Sequence, residues 1–310
     1  MKNLKFACYE PEMLCGILKR EWTDFKPNYH FLGIPLDISS SYRNGARYGP
    51  DSFRQILRSE NFECVTEGGV ILKDFYKIQD WGNIGVIPTN LRKSLQLISE
   101  GVLDLILNEH PFLLFGGDHS LTIGTGEAFE EADLSIHVIY LDAHLDLYDE
   151  MMESDLSHAC TLRRLSEISG FQGATVLGYR FFTKEQLSYA QNNNINVIST
   201  NELIHQSDLF QFGFEIAKVL DKKVNRVYVS VDLDVLDPSY APGVGNPVGG
   251  GISTRELIWL LTGIFRGLKT QIISWDIVEY NPTYDSAEIT AFTVIKLLLE
   301  SLGAQINNNL

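Results

Sequence analysis

The chain has 310 residues, 45% hydrophobic and 21% charged, with a formal net charge of −15. That is ordinary globular composition, and the absence of any basic stripe argues against nucleic acid as a partner. The opening MKNLKFACYE lacks the apolar core of a signal peptide, and no apolar run approaches the roughly 18 residues that span a membrane.

Cys8, Cys15, Cys64 and Cys160 form no CxxC pair. Reduced thiols and a cytoplasmic location are therefore expected. No linker, repeat or low-complexity stretch divides the chain, so a single domain over 1–310 is expected.

In chain order, a first apolar strand is predicted at 30–34. Leu91, Leu95, Ile98, Val102 and Leu105 then step by four and three, which is one face of a helix. Further strands are predicted at 112–115, 136–141, 174–177, 195–199 and 227–231. Leu257, Leu261, Ile264 and Leu268 repeat the helical pattern, and a last strand follows at 271–275. Asp285 and Glu288 form a capping box that opens a final helix to about Leu302, before a frayed tail at 307–310. Most strands are apolar on both faces, as in a covered parallel sheet. Strands alternating with helices predict a three-layer α/β/α fold with a mainly parallel central sheet. Ligands in such folds bind beyond the carboxyl ends of the strands.

Chemistry-bearing residues collect at those ends. IYLDAHLD (139–146) runs from apolar residues into Asp142, His144 and Asp146, spaced two apart. On extended backbone such residues share one face. VYVSVDLD (227–234) ends in Asp232 and Asp234, and FLLFGGDHS (112–120) carries His119. Four clustered carboxylates would repel and raise one another's pKa; two divalent cations would neutralise them. Carboxylate-rich sets with some histidine suit ions such as Mn²⁺ better than zinc.

GGDHS at 116–120, DAHLD at 142–146 and SVDLDVLDPSYAPGVGNP at 230–247 resemble, in order, the three signatures of the arginase/agmatinase (ureohydrolase) family. The likeness runs from Gly33 to Pro282. The resemblance implies an arginase-like fold and two Mn²⁺ per chain. His119, Asp142, Asp146 and Asp232 would hold one ion, and Asp142, His144, Asp232 and Asp234 the other, with a hydroxide between them as nucleophile. It also implies that Glu279 receives the substrate guanidinium, a charge-assisted pairing. His158 would shuttle a proton to the departing amine. With Asp146, these two complete the candidate catalytic set.

Asp118 and Asp237 read as structural residues, and Arg47 as an organiser of the site's rim. Asn246 and Asn83 depart from the family pattern at positions without a proposed ligand. GVGNPVGGG (243–251) lacks the spacing of a phosphate loop. The loop LYDEMMESDLSHA (147–159) holds four carboxylates and no basic residue, which would repel a carboxylate-bearing substrate. Agmatine, a small cationic guanidine, is therefore expected over arginine, guanidinobutyrate or formiminoglutamate. A two-metal phosphoesterase would need Arg or Lys clamps, and a non-catalytic metal protein would not need His158 and Glu279. The resemblance also implies a homo-oligomer, trimer or hexamer.

Overall fold

The computed structural model describes residues 13–22, 26–59, 63–224, 226–269 and 274–306. Among the described residues nine parallel strands form one sheet. They are β1 (Leu18–Lys19), β2 (Tyr29–Ile34), β3 (Ile78–Asn83), β4 (Phe112–Gly116), β5 (Ile136–Leu141), β6 (Phe171–Tyr179), β7 (Ile195–Ser199), β8 (Arg226–Asp232) and β9 (Ser274–Val278). Their order across the sheet is β1-β3-β2-β4-β9-β8-β5-β6-β7. The neighbours β4, β9, β8 and β5 thus occupy the middle.

Alternate strand residues feed two cores. Ile136, Val138 and Tyr140 of β5 pack on one side, Ile139 and Leu141 on the other. The first side is covered by α2 (Leu91–Leu107), α3 (Leu121–Glu131), α4 (Thr161–Leu165) and α5 (Lys184–Asn192). The second is covered by α1 (Gly49–Ser59), α6 (Thr200–Ile204), α7 (Leu209–Lys223), α8 (Thr254–Gly267) and α9 (Ile289–Ile306). This is the expected three-layer arrangement. The residues of both faces are apolar because both faces are covered.

Several expectations shift. The strands β1 and β3 went unpredicted; β3 reads IQDWGN and alternates buried with exposed positions. The last strand lies at Ser274–Val278, later than 271–275, and 270–273 fall outside the described residues, as do Cys8 and the tail at 307–310. Asp285 does cap the final helix, through Thr290 and Ala291 N–H at 2.8 and 2.9 Å, but Glu288 adopts a positive φ and the helix starts one residue later. That helix region, 286–306, is long and apolar enough to cross a membrane, contrary to the reading of the sequence, yet 72% of its apolar window is buried within the protein. It is a core helix that spends its apolar surface on the sheet. Cys15 and Cys64 also depart from expectation. They form a disulfide with Cα atoms 6.0 Å apart, 49 residues distant in sequence, while Cys160 is free and buried. The pairing was hidden because only the fold brings the two segments together.

Candidate metal centre

The centre lies at the carboxyl ends of the four middle strands. Gly117 is what lets the chain leave β4 toward it. A Cβ at this position would sit 1.5 Å from the Leu36 carbonyl oxygen, so no larger residue fits. Its close neighbours are hydrogen-bonded across the gap, Gly117 N–H to Ile34 and Asp118 N–H to Leu36.

His119 follows at once. Its Nδ1 lies 3.1 Å from Asp142 Oδ2, 3.1 Å from Asp232 Oδ2 and 3.5 Å from Asp146 Oδ2. His144 Nδ1 lies 3.3 Å from Asp142 Oδ1 and 3.0 Å from Asp234 Oδ2. The donor atoms of His119, Asp142 and Asp146 all fall within 4.8 Å of one another, as do those of Asp142, His144 and Asp234. Metal bonds of about 2.1 Å at right angles leave adjacent donors about 3 Å apart. The spacing therefore fits divalent cations, and Asp142 belongs to both groups.

The three residues Asp142, His144 and Asp146 do not meet by strand alternation. β5 ends at Leu141, and Asp146 has a φ of 48°, so the segment curls. Left-handed backbone at a non-glycine residue is costly and is found at sites that need it. Glu279, just past β9, has a φ of 65°. Backbone N–H groups hold the carboxylates from behind: Asp142 Oδ1 takes His144 N–H (2.6 Å), Asp234 Oδ1 takes Ala143 N–H (3.0 Å) and Asp232 Oδ1 takes Asp234 N–H (2.8 Å).

The electrostatics show a shortage of positive charge. Burial, then Asp234 and Asp142, raise the Asp232 carboxyl well above its usual range. Burial and Asp142 push Asp146 up to about 7. Burial opposes charge on His119 and His144, yet the aspartates override it and hold a proton on both, His144 up to about 12. Without cations, protons are drawn in to offset the carboxylates. Cations would take that place, and the donor set fits them.

A ring of residues that sequence reading missed supports these candidate ligands. Ser230 donates its one proton to Asp276 Oδ1 at 2.6 Å, and its oxygen lies 2.8 Å from His119 Nε2. His119 Nε2–H must then be the donor, which leaves Nδ1 free for an ion. Asp276 is fully buried and also accepts from Thr122 and Tyr228 at 2.8 and 2.7 Å. Tyr140 stacks on His119 and donates to Asp146 Oδ2 at 2.7 Å. Arg180 donates to the carbonyls of Asp234 and Val248, both at 2.7 Å, and pins the loop that carries Asp234. A polar residue inside an apolar strand, such as Asp276, is the one signal that could have exposed this ring.

A cavity of about 160 Å³ opens beside the ligands. His144, Asp146, Asp232, Asp234, His158 and Glu279 face it, with walls from Ser41, Tyr148, Met151, Ala159, Phe181, Gln186 and Asn246. Glu279 Oε1 lies 3.1 Å from His158 Nδ1 and accepts His119 N–H at 3.0 Å. Glu279 Oε2 and Asn246 Oδ1 are buried acceptors with no hydrogen-bond partner among the described residues. Burial opposes charge on His158, but Glu279 raises its pKa to about 9. All eight residues singled out in the sequence thus gather at one site.

Asp118 is buried and accepts from Ser39 N–H and from Ser120, a structural role. Asp237 closes a turn by accepting from Ser239 and Gly250. Arg47 pairs with buried Asp37, which also takes Gly45 N–H, and so orders the rim. Asn83 accepts from buried Arg54. The loop carboxylates behave otherwise than expected. Asp149, Glu150, Glu153 and Asp155 do not line the cavity, and α4 supplies Arg164 to Asp149 at 2.8 Å and to Asp155 at 3.8 Å. Cations from the next helix therefore offset part of the charge that the loop carries, at Asp149 and Asp155.

Comparison with known proteins gives the lineage. The Arginase family model matches residues 27–303. The chain belongs to the arginase family. Its members are ureohydrolases, enzymes of amidine C–N bonds, so this protein is a hydrolase of that class. It is 32% identical to an agmatinase of Bacillus subtilis, over 87% of this chain and 89% of that one. It is 31% identical to an N(1)-aminopropylagmatine ureohydrolase of Thermococcus kodakarensis, over 97% and 94%. Among solved arginase-family structures, formimidoylglutamase of Bacillus subtilis superposes with a TM-score of 0.84 at 26% identity, covering 98% of this chain and 95% of that one.

Proposed function

We propose that this arginase-family member hydrolyses agmatine to putrescine and urea with two Mn²⁺ per chain. The observation that carries the choice of substrate is the cavity wall. It presents carboxylates, two unpartnered acceptors and the aromatic rings of Tyr148 and Phe181, and no lysine or arginine among the described residues that line it. A guanidinium offers only donors, and an alkylammonium is favoured by aromatic faces and carboxylates. Arginine, guanidinobutyrate and formiminoglutamate each bring a carboxylate that would meet no lysine or arginine among the described lining residues. The similarity to agmatine-type ureohydrolases supports the same choice.

When bound, the metal pair supplies Lewis acidity that lowers the pKa of a water at the site. The chain's own residues do the rest. Glu279 Oε2 accepts an N–H of the guanidinium and fixes its plane, while Glu279 Oε1 orients His158. Asp146 opens onto the cavity and takes a proton from the attacking water as the C–O bond forms. His158 gives a proton to the departing nitrogen as the C–N bond breaks, and urea and a free amine result. Putrescine supply and a homo-oligomeric state, trimer or hexamer, belong to the same reading.

The test is urea release by Mn²⁺-loaded protein given agmatine and arginine in parallel. Urea from agmatine alone is expected. Urea from arginine instead would overturn the substrate assignment, and urea from neither, with formamide from formiminoglutamate, would move the protein to that branch of the family.

A further inference from the structure

Resting on the ureohydrolase reading above, we propose that Ser41 is a positioning residue of the reaction, holding the outer edge of the His158 ring in both of its protonation states. Ser41 lies between β2 and α1, far from His158 in sequence. Its Oγ is 2.9 Å from His158 Nε2, and its backbone N is 3.3 Å from the same atom. The opposite ring nitrogen, Nδ1, faces Glu279 Oε1, which can only accept, so Nδ1 carries a proton.

Proton transfer must therefore occur at Nε2, and Ser41 is what touches it. A neutral ring has a bare Nε2 that accepts from the Ser41 hydroxyl or N–H. A charged ring has an Nε2–H that needs an acceptor. The backbone N–H cannot serve then, but the hydroxyl oxygen can, after a simple rotation of its O–H. The charged groups acting on His158 are Glu279, Asp118 and Asp146, all acidic; the first holds the far side of the ring. Ser41 Oγ also accepts from Asn246 Nδ2 at 3.2 Å, which leaves Asn246 Oδ1 unpartnered on the cavity wall.

The loop is built to keep Ser41 there. Ser39 N–H donates to buried Asp118 at 2.9 Å, and Ser39 Oγ accepts His158 N–H at 3.0 Å. The histidine is thus tied to one short loop by backbone and by ring. Asp118, structural by itself, acquires a reason: it anchors the loop that holds the shuttle.

The experiment uses the full metal-loaded chain with Ser41→Ala and Ser41→Thr. Steady-state urea release is measured with agmatine, and histidine ring ¹⁵N spectra are recorded on Mg²⁺-loaded, diamagnetic protein. Ser41→Ala is expected to lower kcat about tenfold, the factor that one lost hydrogen bond to the reacting group is worth, with KM within about twofold. Ser41→Thr, which keeps the hydroxyl, restores kcat. The His158 Nε2 resonance moves in Ser41→Ala and returns in Ser41→Thr. A Ser41→Ala enzyme with the parent's kcat overturns the inference. So does a loss that Thr does not restore while the Nε2 resonance stays put, because that reports only a folding defect. If the parent itself releases urea from no guanidino compound, the functional reading fails separately, and the ring spectra alone decide Ser41: an unmoved Nε2 refutes it.

Discussion

Ser230→Ala is the sharpest probe of how the fold makes a metal ligand. Ser230 is fully buried, and its hydroxyl proton goes to Asp276, so His119 must donate Nε2–H to its oxygen at 2.8 Å. Removing that oxygen strands a buried donor, at a cost of about 1–3 kcal/mol. It also frees the ring to place its proton on Nδ1, the atom that faces Asp142 and Asp232. Loss of such a partner lowers metal affinity by roughly 10–100-fold, about 1.4–2.7 kcal/mol, which agrees with the orphaned-donor figure. Asp276 keeps Thr122 and Tyr228 as donors, so the strand should hold. The assay is calorimetric titration of metal-stripped protein with Mn²⁺, with Asp232→Ala, which removes a ligand outright, as the lower bound. An affinity for Ser230→Ala within about twofold of the parent would refute the reasoning, since that is under the smallest loss expected of such a partner.

Three further outcomes are expected. His158→Ala retains metal, measured by elemental analysis, and loses turnover by about 10²–10⁴, the usual contribution of one acid–base group; turnover equal to the parent's would remove the shuttle assignment. The His158 pKa is raised from 6.5 to about 9, so its contribution to folding is complete below 6.5 and disappears as pH climbs through 9. Denaturant stability of the parent should fall across that window more steeply than that of Glu279→Gln, and parallel curves would contradict the pairing. Gly245→Ala would bring a Cβ to 2.7 Å from Glu279 Oε2. That displaces the proposed guanidinium acceptor, so KM for agmatine should rise while metal content is unchanged; an unaltered KM would show that Oε2 does not meet the substrate.

The candidate ligands were legible in the sequence because strand ends announce themselves: an apolar run that stops at Asp142 or Asp232 marks both an element and the chemistry it can carry. The parallel sheet followed from runs apolar on both faces. What escaped was whatever depends on which strands become neighbours. Ser230 and Asp276 sit at matching register on β8 and β9, yet 46 residues separate them in the chain. Ser41 escaped for the same reason, and so did the Cys15–Cys64 bond. The loop at 147–159 differs from its expectation for another reason. Reading 147–159 by itself counted its carboxylates and missed Arg163 and Arg164, which stand just past its end and fold back onto Asp149.

The division between floor and wall has a consequence for how such a protein can diversify. The ions' candidate ligands hang from the ends of the central strands, whereas Tyr148, Met151 and Phe181 come from connections between elements. Connections accept replacement and insertion far more readily than a sheet core does. Exchanging those three side chains would alter which molecule is admitted while the hydrolytic apparatus stays as it is. The scaffold is thus suited to inherit one reaction and to trade in customers.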